Sequence, residues 1–204
     1  MAAADVLADP RAASVEAIFE AAGALRRGHF ALKSGRHSDR YLEKFAVLQY
    51  PTLAVEMGRR LAGSLAAHDP TLVVGPTTGG VLLAFETARH LQESLEHTVR
   101  GIFAEPVGPG QRALRRGWPV GADDRIVLVD DILTSGTSVR ETAEAVTAAG
   151  GRPLAATVIV DRSTAAADVG VPLGALARIE IASWDAGGCP LCAAGVTPEK
   201  PGSS

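Results

Sequence analysis

Cysteine is nearly missing from this chain. Two, Cys189 and Cys192, stand among 204 residues, so no disulfide framework holds the fold together. Aromatic residues make up 4%, too few for a run of stacking platforms for single-stranded nucleic acid. Charge has no strong bias: 20 Lys and Arg against 23 Asp and Glu give a net charge of −3. That balance argues against a broad nucleic-acid or membrane surface. Long hydrophobic runs are absent too. The longest charge-free stretch, Pro70 to Phe85, is broken by Gly-Pro and Gly-Gly, and a transmembrane helix needs about 20 apolar residues. Asp5, Asp9, Arg11, Glu16 and Glu20 interrupt the N-terminus, so no signal-peptide core is expected. With 47% hydrophobic residues, the expectation is a soluble cytoplasmic protein of one domain.

What is present is an alternation. Ser14 can N-cap a helix predicted over 14–27, with Glu16 near its positive end. Residues 28–44 have mixed polarity with Gly28 and Gly35 as punctuation, which predicts short strands and turns. Pro51 fits the first turn of a helix running to about Ala67. Four short apolar runs follow, TLVVG, VRGIFA, RIVLV and LAATVIV, interleaved with the helical stretches VLLAFETARHLQ and SVRETAEAVTAAGG. In the second of these Val139, Ala143 and Val146 share a face, and Gly150 or Gly151 can close the helix. Short β-branched runs alternating with helices predict an α/β fold with a parallel sheet flanked by helices. Residues 105–121, rich in glycine and proline, read as a long mobile loop, and TPEKPGSS as a loose tail.

All four apolar runs end in unusual polar chemistry: Gly75-Pro76-Thr77-Thr78-Gly79, Glu105, Asp130-Asp131 and Asp161-Arg162. Ligands of open parallel sheets bind outside the carboxyl ends of the strands, so four such ends on one rim suggest a site. The most informative stretch is DRIVLVDDILTSGTS, residues 124–138. Thr134-Ser135-Gly136-Thr137-Ser138 is a glycine- and hydroxyl-rich loop opening a helix, where backbone N–H groups and the helix dipole favour a phosphate. Taken alone, an ordinary N-cap explains the loop about as well. The acid pair before it shifts the balance, because adjacent carboxylates at a strand end want hydroxyl donors or a cation, and a sugar beside a phosphate supplies hydroxyls. Other nucleotide motifs fail: Gly75 to Val81 lacks a Walker lysine, and Gly108-Pro109-Gly110 lacks the third spaced glycine of a dinucleotide fingerprint.

Four apolar residues, an acid pair, two apolar residues and Thr-Ser-Gly-Thr-Ser resemble the signature of type I phosphoribosyltransferases for binding 5-phosphoribosyl 1-diphosphate (PRPP). The resemblance implies a Rossmann-like parallel sheet with a small N-terminal hood, the hood formed by about 1–50 plus a C-terminal segment and the PRPP-binding core by about 51–165. It implies that Asp130 and Asp131 hold the ribose hydroxyls, that Thr134, Ser135, Gly136, Thr137 and Ser138 wrap the 5-phosphate, and that Ile132 and Leu133 between them belong to the PRPP site. Further stretches resemble the orotate phosphoribosyltransferase family: HFALKSGRHSDRYLEK its hood motif, VVGPTTGGVLLAFETAR its pyrophosphate loop with Thr77, Thr78 and Gly79, VDR the strand end whose Arg162 meets the orotate carboxylate, and CPLCAAGVTPEKPGSS the tail of a bacterial and archaeal subgroup. The resemblance adds Lys33 and Thr134 to the orotate site. It also implies Mg²⁺ held mainly by PRPP, with no direct protein ligand, and a homodimer in which the mobile loop 105–117 acts across the interface. The chain departs from the family where Pro106 and Gln111 replace basic loop residues, which makes the adjacent Arg112 the candidate catalytic cation. Another base, or a PRPP-sensing protein with little turnover, remain alternatives.

Other residues carry blander expectations. His29 and His37 have no acidic or cysteine partners at useful sequence spacing, which predicts surface or hydrogen-bonding roles. Cys189-Pro-Leu-Cys192 is a lone pair of cysteines that supplies half of a tetrahedral zinc site, and a structural turn is expected. Arg115 and Arg116 are too local for a nucleic-acid surface, and Arg59 and Arg60 read as a solvated helix face.

Overall fold

A computed structural model describes residues 2–32 and 34–201. Lys33, one of the expected base-binding residues, lies outside the described residues. The chain opens with helices α1 (Ala3–Ala8) and α2 (Val15–Ala21), strands β1 (Leu25–Ala31) and β2 (His37–Leu42) and a short helix α3 (Lys44–Leu48). The core follows as α4 (Pro51–Leu65), β3 (Leu72–Pro76), α5 (Gly79–Leu95), β4 (Arg100–Gly108), β5 (Gln111–Ala113), β6 (Ile126–Leu133), α6 (Thr137–Ala148), β7 (Pro153–Asp161) and β8 (Leu173–Arg178). Strand β9 (Ser183–Trp184) and helix α7 (Pro190–Ala193) come last.

Six strands form the core sheet in the order β5-β4-β3-β6-β7-β8. All its pairings are parallel except that of β5 with β4. The alternation along β6 decides which helix covers which face. Val127 and Val129 pack with Leu53, Met57, Leu61, Leu83 and Leu91 of α4 and α5. Ile126 and Leu128 pack with Val139, Ala143 and Val146 of α6. Both faces are covered, so the strands read as unbroken apolar runs. The chain runs from β3 outward to β4 and then crosses back to β6 on β3's other side. The crevice between the carboxyl ends of β3 and β6 is therefore the switch point where such sheets bind ligands.

The hood is a separate antiparallel sheet, β1-β2-β9. Its C-terminal strand joins through His37↔Trp184 and Ser38↔Ser183, and Glu199 bridges Phe30. The core sheet extends to β8, beyond residue 165.

Some elements differ from expectation. Helix α2 starts at Ser14, whose side chain accepts from the Ala17 amide, but it ends at Ala21 rather than 27. Gly23 turns the chain at φ 68°, and Leu25 to Arg27 enter β1. Residues 105–113 form a β-hairpin rather than a loop: Glu105 pairs with Ala113, Pro106 with Arg112 and Gly108 with Gln111. Pro109-Gly110 makes its turn, with Gly110 at φ 69°, the sign that only glycine adopts cheaply at that position. Arg59 and Arg60 are not a free face. Both bind the buried Glu56, at 2.7 and 2.6 Å, and Arg60 also donates to the Pro10 and Ala13 carbonyls. Among the described residues no helix is long and apolar enough to cross a membrane.

Candidate active site

Adjacent residues on a strand point to opposite faces, and that resolves the acid pair. Asp130 and Asp131 stand at the carboxyl end of β6 with 5% and 3% exposure. Asp130 faces the α6 side and lines a cavity of about 100 Å³ closed by Ile132 to Val139. Asp131 faces the other side and lines a cavity of about 430 Å³ with Tyr41, Lys44, Thr134, Arg162 and Pro201. Ile132 and Thr134 border both cavities. The pair thus divides a small polar cradle from a larger chamber, with carboxylates on each side of the wall.

The cradle is built by the start of α6. Gly136 sits at φ 79°, and a Cβ there would come within 2.8 Å of Val169 Cγ1, so only glycine fits. Ser135 Oγ and Thr137 Oγ1 hydrogen-bond each other at 2.9 Å. The helix N-terminus and the hydroxyls face the space beside Asp130, a setting that suits a phosphate.

Lys44, at the start of α3, was not singled out from sequence, because one lysine after a hood strand looks like any solvated charge. Its Nζ lies 2.9 Å from Asp131 Oδ2 and donates to Oδ1 at 3.2 Å. Oδ1 also accepts from the Ile132 amide at 2.7 Å. Oδ2 is buried between Lys44 and the Gly79 turn, and among the described residues it has no aligned hydrogen-bond donor. Asp130 Oδ1 accepts from the Asp131 amide at 2.8 Å. Burial, then the charge of Asp131, push the Asp130 carboxyl up to about 7.

Thr77, Thr78 and Gly79 carry β3 into α5, and the Thr77–Thr78 peptide is cis. A Cβ on Gly79 would stand 2.1 Å from Asp131 Oδ2, so this turn reaches the acid pair only because it bears glycine. Arg112 reaches the same turn from the hairpin. It lies 3.2 Å from Glu141 Oε2 and donates to the Ala104 and Thr77 carbonyls at 3.3 and 3.5 Å. It therefore touches the Thr77 turn of its own chain.

Arg162 does not pair with Asp161. Asp161 instead accepts from the Ser163 amide and lies 3.8 Å from Arg178. Arg162 Nε donates to Thr134 Oγ1 at 3.1 Å, and among the described residues it forms no salt bridge. Burial lowers its pKa from the ordinary arginine value, which marks an uncompensated cation lining the larger chamber. An open groove of about 990 Å³ runs elsewhere, between α6 and residues 168–172; it holds neither an acid pair nor a hydroxyl loop.

A family model described as a phosphoribosyl transferase domain matches residues 52–177. The chain is similar to orotate phosphoribosyltransferase from Pelotomaculum thermopropionicum, 42% identical over 93% of this chain and 96% of the relative. It is 44% identical to the orotate phosphoribosyltransferase of Acidithiobacillus ferrooxidans over 93% of this chain and 95% of that protein. Among solved structures, orotate phosphoribosyltransferase from Aeropyrum pernix aligns with a TM-score of 0.59 at 26% identity, over 79% of this chain and 92% of that one. The Mycobacterium tuberculosis H37Rv enzyme in complex with inorganic phosphate aligns with a TM-score of 0.61 at 22% identity, over 80% and 94%, a likeness of fold.

Proposed function

The chain belongs to the orotate phosphoribosyltransferase family, and from that premise we propose how its rim transfers phosphoribose from PRPP to N1 of orotate, releasing pyrophosphate and orotidine 5′-monophosphate. One observation carries the assignment of parts: the acid pair stands between a phosphate-sized cradle and a chamber lined by Arg162, which among the described residues has no acidic partner. Ribose stands between phosphate and base in the same order.

In this reading Thr134 to Ser138 hold the 5-phosphate at the N-terminus of α6. Asp130 and Asp131 accept the ribose hydroxyls. Thr77, Thr78 and Gly79, at the N-terminus of α5, hold the diphosphate. Arg162 receives the orotate carboxylate, with Thr134 beside it. A planar guanidinium matches a carboxylate at two points, and this carboxylate is what separates orotate from uracil. Departure of pyrophosphate leaves an oxocarbenium-like C1, so the residues act mainly by positioning and charge stabilisation. Lys44 fixes the Asp131 carboxylate and balances the pair's charge. Arg112 stands where charge accumulates on the leaving diphosphate.

Magnesium, bound with PRPP, supplies charge neutralisation on the diphosphate. The rim suits that arrangement: Lys44 and the Ile132 amide engage Asp131, the Asp131 amide engages Asp130, and among the described residues no cage of oxygen ligands stands beside them, so the diphosphate itself would be the main ligand. The outer surface supports a homodimer. Phe45 and Tyr50 by α3, and Leu82 and Phe85 on α5, are exposed large apolar side chains on helices that touch, and a second copy would cover them. The hairpin could serve either copy's site. The contacts of Arg112 with Thr77 favour its own, and action across the interface is the second reading.

Loss of orotate absorbance on adding PRPP and Mg²⁺, with uracil and purine bases in parallel, tests the whole reading. Orotate alone is expected to be consumed. Tight PRPP binding without consumption of any base would replace it with a PRPP-sensing role, which the substitutions Pro106 and Gln111 would then explain.

A further inference from the structure

Both cysteines of the chain and two of its five histidines meet at one point of the hood. His29 comes from β1, His37 from β2, Cys189 from the N-cap of α7 and Cys192 from within that helix. One ligand atom from each lies within 4.8 Å of all the others. His29 Nε2 is 2.9 Å from His37 Nδ1, 3.4 Å from Cys189 Sγ and 3.8 Å from Cys192 Sγ. Cys192 Sγ is 3.3 Å from His37 Nδ1. A tetrahedral zinc ion with bonds of about 2.3 Å to sulfur and about 2.0–2.1 Å to nitrogen has edges of about 3.3 Å between nitrogens and about 3.6 Å between nitrogen and sulfur. The four separations fall around those edges.

The proton positions agree. His29 Nδ1 lies 2.6 Å from the Val196 carbonyl oxygen, which can only accept, so Nδ1 carries the proton and Nε2 presents its lone pair to the cluster. A ring N–H held by a backbone carbonyl is the usual outer support of a metal-bound histidine. Without a cation, that single lone pair faces one imidazole and two thiols, and the Cys189 thiol is buried at 3% exposure. Sequence spacing hid this arrangement. The lone Cys-x-x-Cys is completed by two histidines about 150 residues upstream, and His29, at 4% exposure, is no surface residue.

We propose that His29, His37, Cys189 and Cys192 form a structural zinc site that clamps the C-terminal segment onto the hood. Thiolate and imidazole ligands in a closed tetrahedron select zinc over magnesium or calcium. The clamp has a consequence beside the substrate. The segment after the site continues as Val196, held by His29, and Glu199. Glu199 exchanges backbone hydrogen bonds with His29 and Ala31 and pairs with Arg26 at 2.7 Å. Two residues later, Pro201 forms a wall of the chamber holding Arg162. Zinc therefore sets the position of that wall. This consequence rests on the base-chamber assignment above; the metal site itself does not.

The test is metal analysis of the full-length protein purified under reducing conditions. One zinc per chain is expected. Cobalt(II) exchanged into the site should give the intense visible bands of a tetrahedral ion with a thiolate charge-transfer band. Cys192→Ser, at the exposed ligand, should keep the fold and weaken zinc by more than about tenfold. Removing zinc with a chelator should raise the orotate KM several-fold and leave the PRPP KM within about twofold. Zinc-free protein that takes up neither zinc nor cobalt under reductant would overturn the site, as would equal zinc binding by wild type and Cys192→Ser. Zinc bound stoichiometrically, with an orotate KM unmoved by its removal, would overturn the clamp's effect on the chamber. An enzyme inactive toward orotate that still binds one zinc per chain would sink the catalytic reading and support the metal site.

Discussion

The two sides of the acid pair are built differently. The phosphate side is one continuous piece of chain, Asp130 to Val139, in which a buried strand runs into a helix. Its donors are the backbone amides and hydroxyls of that stretch, held by a sheet packed on both faces. The base side is gathered from four places: the hood at Tyr41 and Lys44, β6 at Ile132, the end of β7 at Arg162, and the tail at Pro201. Its frame is a three-stranded sheet tied by surface ion pairs such as Arg36–Asp185 at 2.7 Å. One continuous stretch gives a rigid cradle for a phosphate and a diol. A gathered chamber can be altered one side chain at a time, and so it is where a base can be chosen. Substitutions on the two sides should therefore separate PRPP binding from base binding.

The largest effect is expected at the wall itself. Hydrogen bonds to charged groups contribute roughly 1.5–3 kcal/mol each, so Asp131→Asn should weaken PRPP binding by about ten- to a hundredfold. Gly79→Ala should do the same without replacing the carboxylate, because its Cβ would come 2.1 Å from Oδ2 and must displace it. Calorimetry with PRPP checks both; an unchanged affinity in Asp131→Asn would remove the ribose assignment.

Next comes the base side. Arg162→Ala should lower orotate affinity at least about tenfold while PRPP affinity stays within about twofold. Uracil, lacking the carboxylate, should be nearly indifferent. Equal losses for orotate and PRPP would mean that Arg162 holds Thr134 in place rather than binding the base, and the comparison between the two sides would collapse at that residue.

The same contrast governs what could be read before the fold was known. The core strands and the helices α4, α5 and α6 follow from apolar runs, Pro51 and the periodicity of Val139, Ala143 and Val146, because burial on both faces leaves an unmistakable pattern. Asp130 to Ser138 could be read because its parts are neighbours in sequence. Lys44 could not, since its partner Asp131 is 87 residues away and nothing local distinguishes it. The helix boundary at Ala21 was missed because Leu25-Arg26-Arg27 continues a helical pattern while Gly23 breaks it. The hairpin at 105–113 was hidden by its own composition: glycine and proline mark a loop as readily as a tight turn. His29, His37 and the two cysteines were judged by sequence spacing, which says nothing of groups that the hood and tail bring together.

A smaller effect is expected at Arg112, and it tests whether the hairpin serves its own chain. Arg112→Ala should lower kcat by about five- to tenfold and change PRPP affinity less, because charge on the diphosphate is greatest in the transition state. Mixing Arg112→Ala with Asp131→Asn subunits separates the geometries. If Arg112 acts in its own chain, every mixed dimer carries two broken sites and no activity returns. If it acts across the interface, one site per mixed dimer is whole and activity recovers.

The smallest effect concerns the proton on Asp130, which lies on the wall and so reports on both sides. Its carboxyl is pushed up to about 7, mainly by burial and then by Asp131. In the ligand-free protein the sign is destabilising. The folded chain keeps a proton that the unfolded chain releases near the ordinary value of 3.8, so this contribution to stability is full below about pH 4 and is lost as pH rises through about 7. PRPP reverses the preference, since ribose hydroxyls donate best to the ionised carboxylate. Binding should therefore release a proton, and PRPP affinity should rise about fourfold between pH 6.5 and 8. The phosphates of PRPP also titrate near pH 6, so Asp130→Asn is the reference that keeps their share and loses the rest. Lys44→Met removes a cation that draws the Asp130 pKa down and should move the midpoint upward. Calorimetry in buffers of different ionisation enthalpy measures the released proton. The same release from Asp130→Asn would place the titrating group elsewhere than on the acid pair.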